Sequence, residues 1–337
     1  MDDRALLLHL LRGPDTGDAL AQAAGQTRAA VWKRIEALRE AGIAIAAQPG
    51  RGYALAQPVD LIDADLIRTA LPPAVADRLA ALEVAWSIDS TNSELLRRAT
   101  PAAGVAVLLA ERQTGGRGRR GRVWNSPLAA NLYVSVARMF RGGLARLGGL
   151  SLVAGVAAVE ALHALGFTEA RLKWPNDLVV AGDDGPCKLG GLLIEGGGEH
   201  AGPARAVIGL GLNVRMQAAA AAAIDQPWCD LHGLVARTDG AAPLPSLPSR
   251  NRIVATLLEH LLPALDAFDA DGLAPFLPRY AAFDALAGQA VTLHVGDSTH
   301  AATALGVAED GALRVRLDDG SEQRVHSGEV SVRKAMR

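Results

Sequence analysis

The chain has 337 residues, of which half are hydrophobic, and a formal net charge of −2 at pH 7. This length gives room for two or three domains with substantial cores, and the near-neutral charge excludes a protein that binds nucleic acid through an overall basic surface. The two cysteines form no metal-ligand spacing, the apolar stretches end before bilayer length, and the acidic start is no secretory signal. A cytoplasmic protein that makes no membrane contact is therefore expected.

Residues 1–60 are expected to form a self-contained N-terminal unit. The predicted elements are helices over Met1–Arg12, Thr16–Ala24 and 28–42, followed by strands over Ile43–Ala47 and Gly52–Leu55. Thr27 is the N-cap of the third helix, and Val31, Ile35 and Leu38 give that helix one apolar face. Three helices followed by a β-hairpin are typical of a winged helix-turn-helix, whose third helix lies in the major groove of DNA.

The third helix and the hairpin turn carry the candidate DNA contacts. These are Arg28, Trp32, Lys33, Arg39 and Arg51. Basic and acidic side chains are equal in number over residues 1–60, so non-specific affinity for phosphates should be weak. The alternative is a three-helix interaction module without a DNA role, but a wing together with a basic third helix favours operator DNA as a partner.

The rest of the chain divides into a central domain over residues 61–283 and a small domain over residues 284–337. The central domain should contain helices over 63–71, Glu94–Ala99, Ala145–Leu165 and Asn251–Phe268, and strands over Leu82–Ile88, Gly104–Ala110, Leu132–Ala137, Leu178–Ala181, Leu189–Glu195 and Ala206–Val214. The expected C-terminal strands are Val291–Val295, Thr299–Val307, Leu313–Leu317 and Gln323–His326. The pattern predicts an α+β multidomain protein with a mixed central sheet and a C-terminal SH3-like β-barrel.

The loop Glu111–Arg122 alternates glycines with arginines and is the most distinctive stretch of the chain. Glycine lets a backbone approach a ligand closely, and arginine donates in a fork that fits phosphate or carboxylate oxygens. The loop therefore indicates a cradle for a small anion, with a mobile basic surface loop as the alternative. Residues 116–121 match the dinucleotide pattern G-x-G-x-x-G, but a strand follows and position 141 is arginine, so a Rossmann fold is not expected.

Three further segments carry polar residues that are candidates for ligand binding, metal binding or catalysis. Asp89–Glu94 groups hydroxyl, amide and carboxyl side chains at a strand end, where helix capping would explain only one of them. Lys173–Asp177 combines a cation, an indole, an amide and a carboxylate, and Asp177 either holds Mg²⁺ against phosphates or caps a surface turn. Lys188 opens a strand, where it is either a solvated edge residue or a cation that neutralises a reacting phosphoryl group.

Together these segments give the chain a resemblance to the bifunctional biotin–protein ligases and biotin operon repressors, the BirA family. The resemblance covers nearly the whole length, and its motifs follow the family's order: Asp89–Asn92, Glu111–Gly121, Lys173–Asp177, Lys188–Gly191 and Ile208–Asn213. The N-terminal winged helix marks the repressor subclass of that family. The segment Met216–Ile224 departs from the family pattern because it is mostly alanine.

The resemblance implies an enzyme that activates biotin with MgATP to biotinyl-5′-AMP and transfers the biotin to a lysine of a biotin carboxyl carrier protein. It implies biotin contacts from Ser90, Thr91, Asn92, Gln113, Arg117, Gly118, Arg119 and Lys188, and ATP or adenylate contacts from Arg119, Arg120, Asn176, Asp177, Asn213 and Trp228. Arg119 and Lys188 would act on the reacting phosphate, and Asp177 would hold Mg²⁺. Because negative charge builds at phosphorus, fixed cations and metal are the expected catalysts, and no Ser–His or Cys–His nucleophile pair is needed.

The resemblance also implies a homodimer that forms when biotinyl-5′-AMP is bound and that carries two winged helices to operator DNA. Two alternatives remain open. One is a transcription regulator that binds biotin or its adenylate without ligation, and the other is a lipoate–protein ligase, whose catalytic domain is related. The intact Lys188 and Asp177 favour ligation, and the winged helix with the complete glycine–arginine loop favours biotin.

Overall fold

The N-terminal unit contains the three helices and the hairpin expected from the sequence. The computed structural model describes residues 1–141, 143–183, 185–198, 203–236, 246–295, 298–326 and 329–332. Its first elements are α1 (Asp3–Leu11), α2 (Gly17–Ala24), α3 (Arg28–Glu40), β1 (Ile45–Gln48) and β2 (Gly52–Leu55). The side chains of Asp2, Thr16 and Thr27 each accept a hydrogen bond from the first helical turn, so all three helices begin at a capped residue.

A hydrophobic core of its own holds the N-terminal unit together. Val31, Ile35 and Leu38 of α3 are buried in it, which confirms the apolar face that their spacing predicts. β1 and β2 pair as an antiparallel hairpin beside them. Leu128, from the central domain, is 2% exposed and belongs to the same core. The N-terminal unit therefore packs directly on the segment that follows the glycine–arginine loop.

The central domain is built on a seven-stranded sheet. Its strands are β3 (Leu79–Ala85), β4 (Val105–Ala110), β5 (Leu132–Phe140), β6 (Arg171–Lys173), β7 (Asp177–Val180), β8 (Cys187–Gly198) and β9 (Ala204–Leu212). Their order across the sheet is β3-β4-β5-β9-β8-β7-β6; β3 and β4 run parallel, and the other neighbours run antiparallel. This mixed sheet confirms the predicted α+β architecture.

Helices cover the two faces of the sheet unequally. They are α4 (Ala64–Ala70), α5 (Pro73–Ala76), α6 (Thr91–Arg97), α7 (Leu150–Ala164), α8 (Ala218–Ala221), α9 (Leu231–Ala236), α10 (Arg250–Asp271) and α11 (Leu277–Phe283). α7 and α10 pack on the face that forms the main core, where Ile208 and Leu210 are buried. On the other face α6 places Leu95 in a small cluster with Leu108 and Val207. Within the described ranges, no helix combines the length and the apolar character that a membrane crossing requires.

Three predicted elements begin three or more residues away from their predicted start, and the other predicted starts agree within two residues. The differences are α7 at Leu150 instead of Ala145, α6 at Thr91 instead of Glu94, and β3 at Leu79 instead of Leu82. Gly149 sets the start of α7, because its left-handed backbone (φ +83°) separates that helix from the 3₁₀ turn before it. Ser90 sets the start of α6, because its side chain caps the first turn.

The C-terminal domain is a five-stranded antiparallel sheet, one strand more than the sequence indicates. The strands are β10 (Ala290–Val295), β11 (Ser298–Val307), β12 (Leu313–Leu317), β13 (Glu322–Val325) and β14 (Glu329–Val332), in the order β13-β12-β11-β10-β14. Short antiparallel strands are expected of an SH3-like domain, although the described parts of β13 and β14 do not pair with each other. The indole of Trp174 donates to Gly311 O (3.1 Å) and links this domain to the central one.

Candidate active site

The candidate site is a cavity of about 600 Å³ beside α6, on the second face of the sheet. Because side chains alternate along a strand, Ile208 and Leu210 of β9 enter the core while Gly209 and Gly211 face the cavity. A Cβ at Gly209 would lie 2.4 Å from Asn92 Oδ1, and one at Gly211 would lie 2.5 Å from the indole of Trp124. The two glycines therefore form a floor, the glycine floor, against which the Asn92 side chain and the Trp124 indole lie, and all four residues line the cavity.

One end of the cavity is a buried network of hydroxyl and amide groups. Gln113 Oε1 accepts hydrogen bonds from Thr91 N (2.8 Å) and Thr91 Oγ1 (3.1 Å), and Ser135 Oγ donates to Asn92 Oδ1 (2.6 Å). Ser90 caps α6, whereas the side chains of Thr91 and Asn92 bond to other segments. Helix capping thus accounts for Ser90 alone. The remaining groups are preorganised to bind a polar, uncharged part of a ligand.

The carboxylate directly before this network is held by an arginine. Both terminal nitrogens of Arg97 donate to Asp89, at 2.8 and 2.9 Å, and this hydrogen bonding lowers the pKa of Asp89 to about 2. The backbone oxygen of Asp89 accepts from Gly115 N (2.8 Å) at the start of the glycine–arginine loop. Asp89 is therefore ionised at neutral pH, and its residue joins the loop to the polar end of the cavity.

The glycine–arginine loop lies over the cavity and is fixed by contacts along its length. Arg117 reaches Glu195 Oε1 (3.4 Å) on β8, and Arg119 donates to Asn176 Oδ1 (3.3 Å). Arg120 adopts a left-handed backbone conformation (φ +56°), which is uncommon for a residue with a side chain. These contacts favour a ligand cradle over a loop that projects from the surface.

The opposite end of the cavity is charged. Lys188 Nζ lies 2.8 Å from Asp177 Oδ1, and the two side chains are 18% and 21% exposed. The same nitrogen lies 5.7 Å from the centre of the Trp124 ring. Lys173 lines this end as well, and Arg119 approaches it from the loop. Several cations around one carboxylate can bind phosphate oxygens and stabilise negative charge that builds on them.

Most of the predicted contact residues converge on this cavity. Those that line it are Ser90, Thr91, Asn92, Gln113, Arg117, Gly118, Arg119, Arg120, Asn176, Asp177 and Lys188. Asn213 and Trp228 do not line it. Asn213 is buried, and its amide donates to Cys229 O (3.0 Å), while Trp228 pairs with Lys188 through its backbone. A contact between the Trp228 indole and a nucleotide in this cavity would require that segment to shift.

Sequence reasoning missed several residues that line the cavity. The clearest are Trp124, Ser135 and His294. Trp124 follows the glycine–arginine loop and forms a wall against Gly211, so its position beside the loop was the available signal. Ser135 interrupts an apolar strand, which also indicates a special position. His294 comes from β10 in the C-terminal domain, and no local pattern indicates that this strand reaches the cavity.

The cavity offers a limited set of donors for Mg²⁺. Asp177 contributes a carboxylate, and Asn176 contributes an amide oxygen next to it. The part of the chain that the structure describes contains no cluster of three or more histidine, cysteine, aspartate or glutamate side chains suited to a metal. Mg²⁺ commonly takes one or two protein carboxylates and completes its shell with phosphate oxygens and water. The residues therefore fit an ion that arrives with a nucleotide and do not form an all-protein cage.

The predicted DNA-binding side chains lie on the N-terminal unit, and all but one are exposed. The exposed ones are Arg28, Trp32, Lys33 and Arg51. Arg39 differs, because its guanidinium donates to Ile45 O (2.9 Å), pairs with Glu36 (2.6 Å) and lies over the ring of Tyr53. Arg39 therefore joins the hairpin to α3 and is less available to DNA than the other four.

Comparison with known families agrees with this geometry. Residues 84–213 match the Biotin/lipoate A/B protein ligase family, residues 4–54 match an HTH domain, and residues 287–333 match the biotin protein ligase C-terminal domain. The bifunctional ligase/repressor BirA of Salmonella typhimurium is 37% identical over 320 residues, which cover 95% of this chain and 93% of that protein. BirA of Escherichia coli is 36% identical with the same coverage.

The comparison of folds leads to the same group of proteins. A biotin protein ligase from Aquifex aeolicus, solved in complex with biotin and ATP, matches with a TM-score of 0.59 and 23% identity, over 76% of this chain and 99% of that chain. This likeness supports the fold, while the identity and coverage of the two BirA proteins assign the family. The chain belongs to the BirA family of biotin protein ligases, in the branch that carries an N-terminal helix-turn-helix domain.

Proposed function

We propose that this cavity performs both half-reactions of a biotin–[acetyl-CoA-carboxylase] ligase. In the first, a carboxylate oxygen of biotin attacks the α-phosphorus of ATP, the bond to the β-phosphate oxygen breaks, and biotinyl-5′-AMP and pyrophosphate form. In the second, the neutral ε-amine of a lysine on a biotin carboxyl carrier protein attacks the acyl carbon, the bond from that carbon to the phosphate oxygen breaks, and the nitrogen loses a proton, which gives an amide and AMP. The observation that carries the proposal is the meeting of a polar uncharged end and a cationic end over one glycine floor.

Biotin would bind at the polar end. Its ureido ring presents two N–H donors and a carbonyl acceptor, and Ser90, Thr91, Asn92 and Gln113 offer both kinds of partner. Trp124 and the glycine floor give an apolar surface for the sulfur-containing ring. In this orientation the carboxylate tail of biotin points to the charged end of the cavity.

The phosphates of ATP would bind at the charged end. Arg119 and Lys188 supply fixed positive charge to the α-phosphate as the attacking oxygen adds, and Arg120 and Asn176 lie beside them for the rest of the nucleotide. Mg²⁺ held by Asp177 would neutralise phosphate oxygens when bound. The ion pair of Asp177 with Lys188 keeps the lysine in the cavity before a phosphate arrives.

Four further contacts belong to the proposal. Arg117 and Gly118 approach biotin from the loop; an added Cβ at Gly118 would lie 3.7 Å from Arg122, so the backbone there is accessible to a ligand. Asn213 would support the nucleotide side through its bond to the segment that contains Trp228. Trp228 would cover the adenine ring after that segment shifts.

The N-terminal unit would make the ligase a biotin-responsive repressor. Its exposed Arg28, Trp32, Lys33 and Arg51 would meet operator DNA, although a unit without net charge binds phosphates weakly by itself. The biotinyl-5′-AMP complex would dimerise, and two linked units would then bind two half-sites, because the second contact becomes intramolecular.

Mass spectrometry of a biotin carrier domain incubated with this chain, ATP and biotin tests the enzymatic proposal. The expected result is the addition of one biotinyl group to the acceptor lysine together with release of pyrophosphate. A carrier in which arginine replaces the acceptor lysine should gain no biotinyl group. A regulator without ligation would bind biotin and release no pyrophosphate. A lipoate ligase would modify a lipoyl domain with lipoate and leave the biotin carrier unchanged.

A further inference from the structure

A buried polar cluster outside the cavity joins segments that lead into it. Arg250, the first residue of α10, is 2% exposed, and its guanidinium donates to Glu111 Oε2 (2.7 Å) and to Asn131 O (3.1 Å). Its Nε donates to Asp60 O (2.8 Å), in the segment that follows the N-terminal unit. None of these four residues lines the cavity, so the proposed chemistry does not use them directly.

Two of the residues that accept hydrogen bonds from Arg250, Glu111 and Asn131, lie where segments that face the ligand begin. Glu111 is the first residue of the glycine–arginine loop, and its other carboxylate oxygen accepts from Ile62 N (2.6 Å). Asn131 immediately precedes β5, and its side-chain oxygen accepts from Val214 N (2.9 Å), where the segment toward Trp228 begins. One buried guanidinium is thus a common anchor for the loop on one side of the cavity and the segment on the other.

The free-energy cost of burying a guanidinium explains why this position requires arginine. A buried charge is unfavourable unless it is paired and hydrogen-bonded. Arg250 meets that condition with a carboxylate and two carbonyl oxygens from three separate segments. A planar fork can reach such a set at once, whereas a lysine ammonium has a single nitrogen and cannot.

We infer that Arg250 is a positioning residue for the ligase reaction. It fixes the first residue of the glycine–arginine loop relative to Val214, where the segment that leads to Trp228 begins. The ligand-binding groups on the loop and on that segment are thereby held at the correct distance from one bound ligand. The inference rests on the proposed function, because it assigns Arg250 a part in forming biotinyl-5′-AMP. Arg250 does not line the cavity and acts through Glu111 and Asn131.

Single-turnover formation of biotinyl-5′-AMP in the full chain tests this role. Arg250→Lys keeps a charge against Glu111 and loses the fork, and a shift of reacting groups by about 1 Å costs on the order of a hundredfold in rate. We expect its first-order rate constant to fall at least about tenfold. The amplitude of the pyrophosphate burst counts correctly folded sites, so a purely structural loss would lower the amplitude and leave the rate constant unchanged.

Two further variants separate positioning from stability. Arg250→Met with Glu111→Gln removes both charges and keeps an oxygen for Ile62 N, and replacing a buried ion pair by neutral groups is often tolerated. Its rate constant should remain low even where its melting temperature is near that of the wild type. Arg138→Met is the matched control: Arg138 is 11% exposed and pairs with Asp269 near the other end of α10, so only stability should change.

The outcomes are distinct. Slow adenylation in Arg250→Lys and in the double variant, with a normal rate constant in Arg138→Met, supports the inference. Rate constants within about twofold of the wild-type value in both Arg250 variants would overturn it, whatever their melting temperatures. If Arg250→Lys does not fold, the double variant decides alone. A wild-type chain that forms no biotinyl-5′-AMP would instead refute the proposed function.

Discussion

At the scale of single residues, the proposed chemistry depends most on the pair of Lys188 and Asp177. Their ion pair at 2.8 Å lies mostly buried in the charged end of the cavity. A bound phosphate would compete with Asp177 for the ammonium group of Lys188. Because the charge on the phosphate oxygens concentrates as the attacking oxygen adds, the lysine should stabilise the transition state more than the bound substrates.

Lys188→Ala should therefore slow biotinyl-5′-AMP formation by about a hundredfold or more and change biotin affinity only a few-fold. Single-turnover kinetics and calorimetric titration with biotin measure the two quantities separately. Lys188→Arg, which keeps the positive charge, should retain more activity than Lys188→Ala. A loss confined to biotin affinity would leave Lys188 as a carboxylate anchor and would remove it from the reacting phosphate.

Asp284 gives a prediction for the pH dependence of stability. Burial raises the pKa of its carboxyl, and its Oδ2 is buried without a hydrogen-bond partner among the residues that the structure describes. Because the folded pKa lies above the unfolded one, the stabilising contribution of Asp284 is complete below the unfolded pKa of about 4 and is lost as pH rises through the folded pKa. The ionised form therefore opposes folding at neutral pH.

Asp284→Asn should raise the melting temperature at pH 7 and lose this advantage near pH 4. The amide keeps an acceptor for Leu286 N (2.8 Å) and carries no charge. Asp319→Asn is the control with the opposite sign, because hydrogen bonds from Ser321 lower the pKa of Asp319. Thermal unfolding at the two pH values is the measurement, and an Asp284→Asn variant that is less stable at pH 7 would contradict the argument.

At the scale of elements, strand β9 shows how ordinary alternation produces a binding surface. Ile208 and Leu210 anchor one face of the strand in the core, and Gly209 and Gly211 leave the other face without side chains. The floor of the cavity is therefore part of the central sheet and not a loop. The side chains of Asn92 and Trp124 lie on this floor, whose backbone is fixed by ladders to β5 and β8.

Gly211→Ala should weaken biotin binding by roughly tenfold or more, because overpacking of this kind costs on the order of 1–3 kcal/mol. The added Cβ would lie 2.5 Å from the Trp124 indole, which would have to move into the cavity or out of its wall. Gly197→Ala is the matched control on β8, where an added Cβ has no atom within 4 Å. Equal biotin affinity in both variants, measured by calorimetry, would show that Trp124 does not shape the site.

The features that the sequence predicts well are local ones. The apolar spacing of α3, its cap at Thr27 and the alternating glycines of β9 are each encoded within a few residues, and the structure contains them. The family motifs add residues that converge on the cavity although they are distant in sequence. The cluster around Arg250 could not be predicted in this way, because its acceptors come from separate segments with no common period. The same holds for His294, which reaches the cavity from another domain.

At the scale of the whole molecule, the N-terminal unit is in contact with both segments that face the ligand. Leu128 is buried in its core, and Leu128 N donates to Ala41 O (3.2 Å). The side chain of Gln217 lies against Gly42 of the N-terminal unit and donates to Leu128 O (3.5 Å), and Asn125 Nδ2 donates to Ala220 O (2.5 Å) in the alanine-rich stretch. A change in either segment on ligand binding would therefore reach the surface on which the N-terminal unit rests.

Ligand-linked dimerisation is the prediction that belongs to this scale. Biotinyl-5′-AMP can favour a dimer only by binding it more tightly than the monomer, and such coupling is typically about 1–3 kcal/mol, or about 5–150-fold. The chain with biotin and ATP should therefore sediment as a dimer at concentrations where the free chain is monomeric. Its affinity for operator DNA should rise in parallel, and an added carrier domain should reverse both effects by competing for the same surface.

Lys188→Ala provides the control for that experiment. This variant should respond to preformed biotinyl-5′-AMP as the wild type does but to biotin with ATP only after a delay, because it forms the adenylate about a hundredfold more slowly and yet keeps the rest of the cavity. Sedimentation and DNA binding under identical salt conditions are required, since phosphate contacts depend strongly on ionic strength. If neither the oligomeric state nor DNA affinity responds to the adenylate, the switch is absent, and the N-terminal unit is an inherited winged helix attached to a working ligase.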